Sequence, residues 1–215
     1  MTIKKLTAEF IGTFLLTLTV CMTSYAKVSA DLQPLAVGIV LIGLIYAGGY
    51  ISGAVFNPAV TLAIWLRGRL STKEAGLYTI AQFLGSATAA FTTIFLTSAK
   101  PIVFPIAPPP QYFGILPAIL AEIIGAFALV WVVLNVATSK TIEGNSFYGI
   151  AIGCTLTGLV YTLGSVSGSV FNPAISAATI IAQLSNWQNL WIYLIGGFGG
   201  AALAGIVYKF VNPDE

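Results

Sequence analysis

The chain contains no histidine and only two cysteines, and 7% of its 215 residues are charged. The missing histidine removes the commonest metal ligand and the commonest general acid–base group together. Cys21 and Cys154 each stand inside an apolar stretch, which makes neither a disulfide framework nor a metal site with ligand spacing. No metal, no cofactor and no enzymatic chemistry is expected. A water-soluble domain carries about 25% charged residues. With so few charges and 57% hydrophobic residues, this chain cannot dress itself in a hydrated surface. Its mean hydropathy of +0.93 agrees. The sequence reads as an integral, multi-pass membrane protein whose first partner is the lipid bilayer. The net charge of +2 says little about other partners, and no nucleic acid is expected.

What the chain does have is apolar length. A helix needs roughly 20 apolar residues to cross a bilayer, and six runs qualify: about 7–26, 34–51, 75–98, 115–137, 147–165 and 187–210. Lys4 and Lys5 precede the first run, as in a signal peptide. That run is too long for one, lacks a clear small-residue cleavage site and contains Glu9, so it reads as a retained helix. Six spans put both termini and the loops near 67–73 and 140 on one side. That side holds Lys4, Lys5, Arg67, Arg69, Lys73, Lys140 and Lys209, seven of the nine basic residues; only Lys27 and Lys100 fall opposite. Basic residues mark the cytoplasmic side, so both termini are expected there, in the cell membrane.

Two apolar stretches, about 57–66 and 172–183, are too short to span, and each opens with Asn-Pro-Ala after a Gly/Ser-rich run. Asn is a good N-cap and Pro suits the first helical position, so each reads as a short helix preceded by non-helical backbone. Such backbone survives at membrane depth only where protein buries it or where it lines a water-filled cavity. A polar passage is therefore expected.

The chain also repeats itself. Gly49-Tyr50-Ile51-Ser52-Gly53-Ala54-Val55-Phe56-Asn57-Pro58-Ala59-Val60 matches Gly164-Ser165-Val166-Ser167-Gly168-Ser169-Val170-Phe171-Asn172-Pro173-Ala174-Ile175 at an offset of 115, as do Phe83/Phe198 and Gly85/Gly200. Ala8-Glu9-x-x-Gly12 recurs as Ala121-Glu122-x-x-Gly125 at an offset of 113. The reading is a single channel domain over 1–215, with one half in 1–100 and its partner in 115–215. Each half has three spans and one short helix. Three is odd, so the second half enters from the opposite face, the inverted-repeat arrangement of many transport proteins. The alternative, that the motif only packs two helices, leaves two matched charge-free re-entrant elements without a purpose.

These features resemble the major intrinsic protein family, the aquaporins and aquaglyceroporins, over essentially the whole chain. The resemblance implies an all-α bundle of six transmembrane helices and two re-entrant half-helices around one pore per subunit, usually in a homotetramer. It also implies pore motifs at Asn57-Pro58-Ala59 and Asn172-Pro173-Ala174, with both Asn amides donating hydrogen bonds to the permeating molecule. Backbone carbonyls of about 53–56 and 168–171 (Gly53, Ala54 and Val55; Gly168 and Val170) would line one wall. Glu9 and Glu122 would hold the two loops; a proton relay is the competing reading of an intramembrane carboxylate.

By the family's spacing, the selectivity positions are Val37, Val160, Ser169 and Ile175. Ile175 replaces the Arg that commonly follows the second motif, and Tyr50 and Val55 replace two common His near the first. Ser176 follows the water-channel branch, whereas Tyr193-Leu194 matches neither branch. The outer constriction is therefore expected to be apolar, uncharged and wider than in a water-only pore. Three functions compete. The first is a passive channel for water and small uncharged solutes such as glycerol, urea, ammonia or hydrogen peroxide. The second is an ion-coupled secondary transporter using Glu9 and Glu122, and the third is a structural membrane protein with a vestigial pore.

Overall fold

A computed structural model describes residues 3–25, 30–98 and 114–215. Lys27, Lys100 and the proline-rich stretch 101–110 lie outside the described residues. Among those described, the secondary structure is entirely helical: α1 (Ile3–Tyr25), α2 (Gln33–Ser52), α3 (Pro58–Leu66), α4 (Thr72–Thr97), α5 (Ile115–Thr138), α6 (Tyr148–Ser167), α7 (Pro173–Ile181) and α8 (Leu190–Val211), with two 3₁₀ turns. All but α3 and α7 are long and apolar enough to cross a membrane. The six expected spans and both short helices are present, with boundaries shifted by a few residues.

Local chemistry sets the helix ends. α2 and α6 stop at Gly53 and Gly168, both at φ +91°, where the glycine N–H returns to Gly49 O and Gly164 O. A side chain at that φ would strain against its own backbone. α4 opens with a capping box, Ser71 and Glu74 each satisfying the other's backbone N–H. Outward positions such as Ile39, Ile80, Leu84, Phe91, Ile124, Ile195 and Ile206 are exposed, which suits a surface in contact with lipid tails. Threonines within the spans, among them Thr19, Thr88, Thr92 and Thr155, donate to the carbonyl four residues back. No hydroxyl among these four is left unpaired in hydrocarbon.

Packing follows the internal repeat. α1 lies on α4 and α5 on α8, and each short helix packs against the last span of the other half, α3 on α8 and α7 on α4. α2 and α6 meet at equivalent positions, where a Cβ on Gly38 would fall 2.8 Å from Gly153 O and one on Gly153 2.7 Å from Gly38 O. Backbone therefore touches backbone where the two halves join.

Candidate functional site

α3 and α7 each begin at an asparagine. Asn57 is extended (φ −154°) and its Oδ1 accepts from Ala59 N at 2.8 Å. Asn172 does the same with Ala174 N at 3.1 Å and Ile175 N at 3.4 Å. The amide nitrogens are then committed across the molecule: Asn57 Nδ2 donates to Phe171 O and Asn172 Nδ2 to Phe56 O, both at 3.0 Å. These reciprocal bonds butt the two helix N-termini together. Each amide keeps one N–H free of a protein partner among the described residues. Pro58, Ala59, Pro173 and Ala174 are buried in the first helical turns; of the two motifs only the asparagines line the cavity.

The loops before these helices are held in an unusual conformation. Ala54, Phe56, Ser169 and Phe171 all have φ near +50°, a left-handed geometry that costs a non-glycine residue about 1–2 kcal/mol. Two buried carboxylates offset that cost. Glu9 Oε1 accepts from Ser52 Oγ (2.6 Å) and Val55 N (3.0 Å), and Oε2 from Phe56 N and Gln82 Nε2 (both 2.8 Å). Glu122 Oε1 accepts from Ser167 Oγ (2.7 Å) and Val170 N (3.1 Å), and Oε2 from Phe171 N (2.9 Å). Ser52 and Ser167 in turn take Ala54 N and Ser169 N. Tyr78 and Tyr193 donate to Ser52 O and Ser167 O. With the N–H groups drawn to the carboxylates, no described donor reaches the carbonyls of Gly53, Ala54, Val55, Gly168, Ser169 or Val170. All six residues line the cavity.

That cavity, of about 800 Å³, passes between the asparagines. Beyond them on one side lie Val37, Val160, Ser169 and Ile175, all four expected selectivity positions. On the other side lie Tyr50, Arg69, Lys140 and Glu143. Charged lining residues are confined to that second end, where Lys5 joins them. The middle is walled by Leu41, Ile45, Val60, Val133, Ile152 and Leu156. At the first end the Ser169 hydroxyl is buried without a partner, leaving it the one side-chain donor among the four positions. Neither Glu9 nor Glu122 lines the cavity; both are fully buried.

The sequence reading gave no loop-bracing role to Ser52, Ser167, Tyr78, Tyr193 or Gln82. The offset of 115 links Ser52 to Ser167 and Tyr78 to Tyr193, so the repeat carried that signal. Gln82 has Gly197 at the same offset, and nothing in the pattern marks it.

The family model for the major intrinsic protein matches residues 1–208. The chain is similar to a probable aquaporin of NIP type from Nicotiana alata, 34% identical over 99% of this chain and 79% of that one. It is similar to aquaporin AqpM from Methanothermobacter marburgensis, 33% identical over 98% of both chains. In fold it resembles the X-ray structure of the aquaglyceroporin from Plasmodium falciparum, with a TM-score of 0.82, 20% identity, and coverage of 98% and 97% of the two chains.

Proposed function

Because this chain belongs to the major intrinsic protein family, a family of channels, we propose that its cavity is a passive transmembrane pore for water and small uncharged solutes. The observation that carries this reading is the cavity itself. It runs between two asparagine-capped helix N-termini, with carbonyl acceptors and apolar side chains in its central and outer walls and charge at one end only. The ion-coupled reading relies on Glu9 and Glu122 as carboxylates that reach the substrate path. Glu9 and Glu122 stay off it, and both oxygens of each already accept hydrogen bonds from loop or helix donors.

Exclusion of ions follows from the helix ends. Each N-terminus carries about half a positive charge, and two of them facing each other oppose cations and protons. A water passing the asparagines accepts from both free amide N–H groups. Its hydrogens then point away along the pore, so it cannot hand a proton across the centre. Asn172→Asp should offset that field and raise cation conductance above the parent in planar-bilayer recording. Equal silence from both, while both still pass solute, would show that the helix ends are not the main barrier.

We read residues 1–100 and 115–215 as the inverted halves, and assign solute contact to Asn57 and Asn172. Discrimination falls to Val37, Val160, Ser169 and Ile175. With one hydroxyl and no charge at that constriction, glycerol or urea should pass beside water with weak discrimination between them. A liposome swelling panel of water, glycerol and urea on one preparation tests the function. Ile175→Arg, which adds fixed donors and narrows the ring, should cut the larger solutes' flux far more than water's. Fast water flux with both larger solutes excluded in the parent would show that other residues narrow the pore.

The homotetramer, the cell membrane and cytoplasmic termini complete the proposal. The orientation rests on the basic asymmetry of the sequence. Single cysteines at Ser98 and Asp214 should label differently with an impermeant maleimide on intact cells; equal labelling from outside would overturn it.

A further inference from the structure

At the charged end of the cavity, the side chain of Glu215 folds back onto the turn after α5. Its Oε1 accepts from Ser139 Oγ (2.6 Å), Thr141 N (3.1 Å) and Thr141 Oγ1 (2.9 Å). Its Oε2 accepts from Lys140 N (2.8 Å) and Arg67 Nη2 (3.2 Å). Successive backbone N–H groups flanked by hydroxyls and a guanidinium form an anion-binding concavity. These donors hold the Glu215 carboxyl well below the ordinary carboxylate range, the Ser139 hydroxyl foremost.

The surroundings fix the guanidinium and leave it underused. Arg67 lies 4.3 Å over the ring of Tyr208, and its side chain is 2% exposed. It also donates to Thr138 O at 2.6 Å, as Arg69 does at 3.1 Å. Even so, Arg67 Nε and Nη1 and the Tyr208 hydroxyl are buried without a partner. The guanidinium that meets Glu215 through Nη2 thus has donors in reserve. Arg is suited to multidentate recognition of a tetrahedral oxyanion.

We infer that Arg67 and the Ser139–Thr141 turn form a binding site for a phosphate-class oxyanion, which Glu215 occupies in cis as an internal pseudo-ligand. Thr138, Ser139 and Lys140 also line the cavity, so the occupant of this site braces the lip of the pore. An oxyanion that displaces Glu215 keeps the turn braced while freeing the strap after α8. The anion could be free in solution or the headgroup of a lipid; both present the same chemistry.

The test is equilibrium dialysis of the purified full chain against labelled inorganic phosphate. A tethered ligand competes at an effective concentration of millimolar order. The parent should therefore bind phosphate weakly, and Glu215→Ala at least about tenfold more tightly. Adding Arg67→Gln to Glu215→Ala should return binding to the parent level. Lys73→Gln, which removes an exposed cation elsewhere, should leave it unchanged. Nanodiscs containing phosphatidic acid, compared with phosphatidylcholine alone, separate the sources. Displacement of the labelled phosphate by phosphatidic acid supports the site with a lipid headgroup as occupant; retention supports it with a soluble one. The inference is overturned if folded, monodisperse Glu215→Ala binds phosphate no more tightly than the parent. It is equally overturned if Lys73→Gln weakens binding as much as Arg67→Gln.

Discussion

Glu122→Ala is expected to abolish solute flux and to collapse the yield of folded protein in mild detergent. The change strips partners from Ser167 Oγ, Val170 N and Phe171 N, all deeply buried around Ser169 and Phe171 in the left-handed region. Each buried donor left unpaired costs about 1–3 kcal/mol, so the sum is on the order of 5 kcal/mol. That is comparable to the whole stability of an ordinary domain. Glu9→Ala should be the milder of the two. In the first half, Gln82 already lies against Glu9 Oε2 and Thr61 Oγ1, and its amide oxygen can turn toward the loop. The second half has Gly197 at that position, so nothing can take over. Glu122→Gln, keeping one acceptor oxygen, should recover part of the yield. Size-exclusion profiles and liposome flux measured on all three variants decide the matter. Parent-like stability and flux in Glu122→Ala would mean that the carboxylate does not hold the loop.

The second large effect is expected at Gly200, where α8 crosses α5. A Cβ there would lie 2.3 Å from Ile123 O, 2.8 Å from Phe127 N and 2.9 Å from Ala126 Cβ. Two of the three obstacles are backbone, which cannot swing aside, so α8 must lift away from α5. Replacing a helical glycine by alanine ordinarily stabilises by about 1 kcal/mol. Here overpacking should reverse the sign, at about 1–3 kcal/mol of destabilisation or more. Displacing α8 also moves Tyr193, which braces the second loop through Ser167 O, so flux should fall with stability. Gly76 and Gly158 provide the comparison, since a Cβ at either meets nothing within 4 Å. Gly76→Ala and Gly158→Ala should be neutral or stabilising in a heating series followed by size exclusion. A Gly200→Ala protein that behaves like them would mean that the helices have room to part.

The spans, the short helices and the pairing of Glu9 with Glu122 were legible in the sequence because each rests on a local or repeated signal. Apolar run length marks a span, Asn-Pro marks a helix start, and an offset near 115 ties one loop to its counterpart. Other features have no such signal. The left-handed φ values fall on Ala54, Phe56, Ser169 and Phe171, residue types that ordinarily avoid that region, and the carboxylates and serines beneath them hold it. The contact between Arg67 and Glu215 joins residues 148 apart in the chain and repeats nowhere. That Asn57 and Asn172 each spend one N–H on the opposite loop depends on the two helix ends meeting, which spacing along the chain cannot show.

Those two crossed bonds also govern the order in which the molecule can be completed during synthesis. Phe56 O and Asn57 Nδ2 find their partners in residues 172 and 171, which leave the ribosome only after α5 and α6. Until then, the first loop sits in the translocon or bilayer with a carbonyl and an amide unclaimed by protein, at a depth where water is scarce. A chain halted after α4 therefore has no finished half-pore to fold into. The centre of the channel closes as a late, single event, and degradation of stalled chains should begin at that exposed joint.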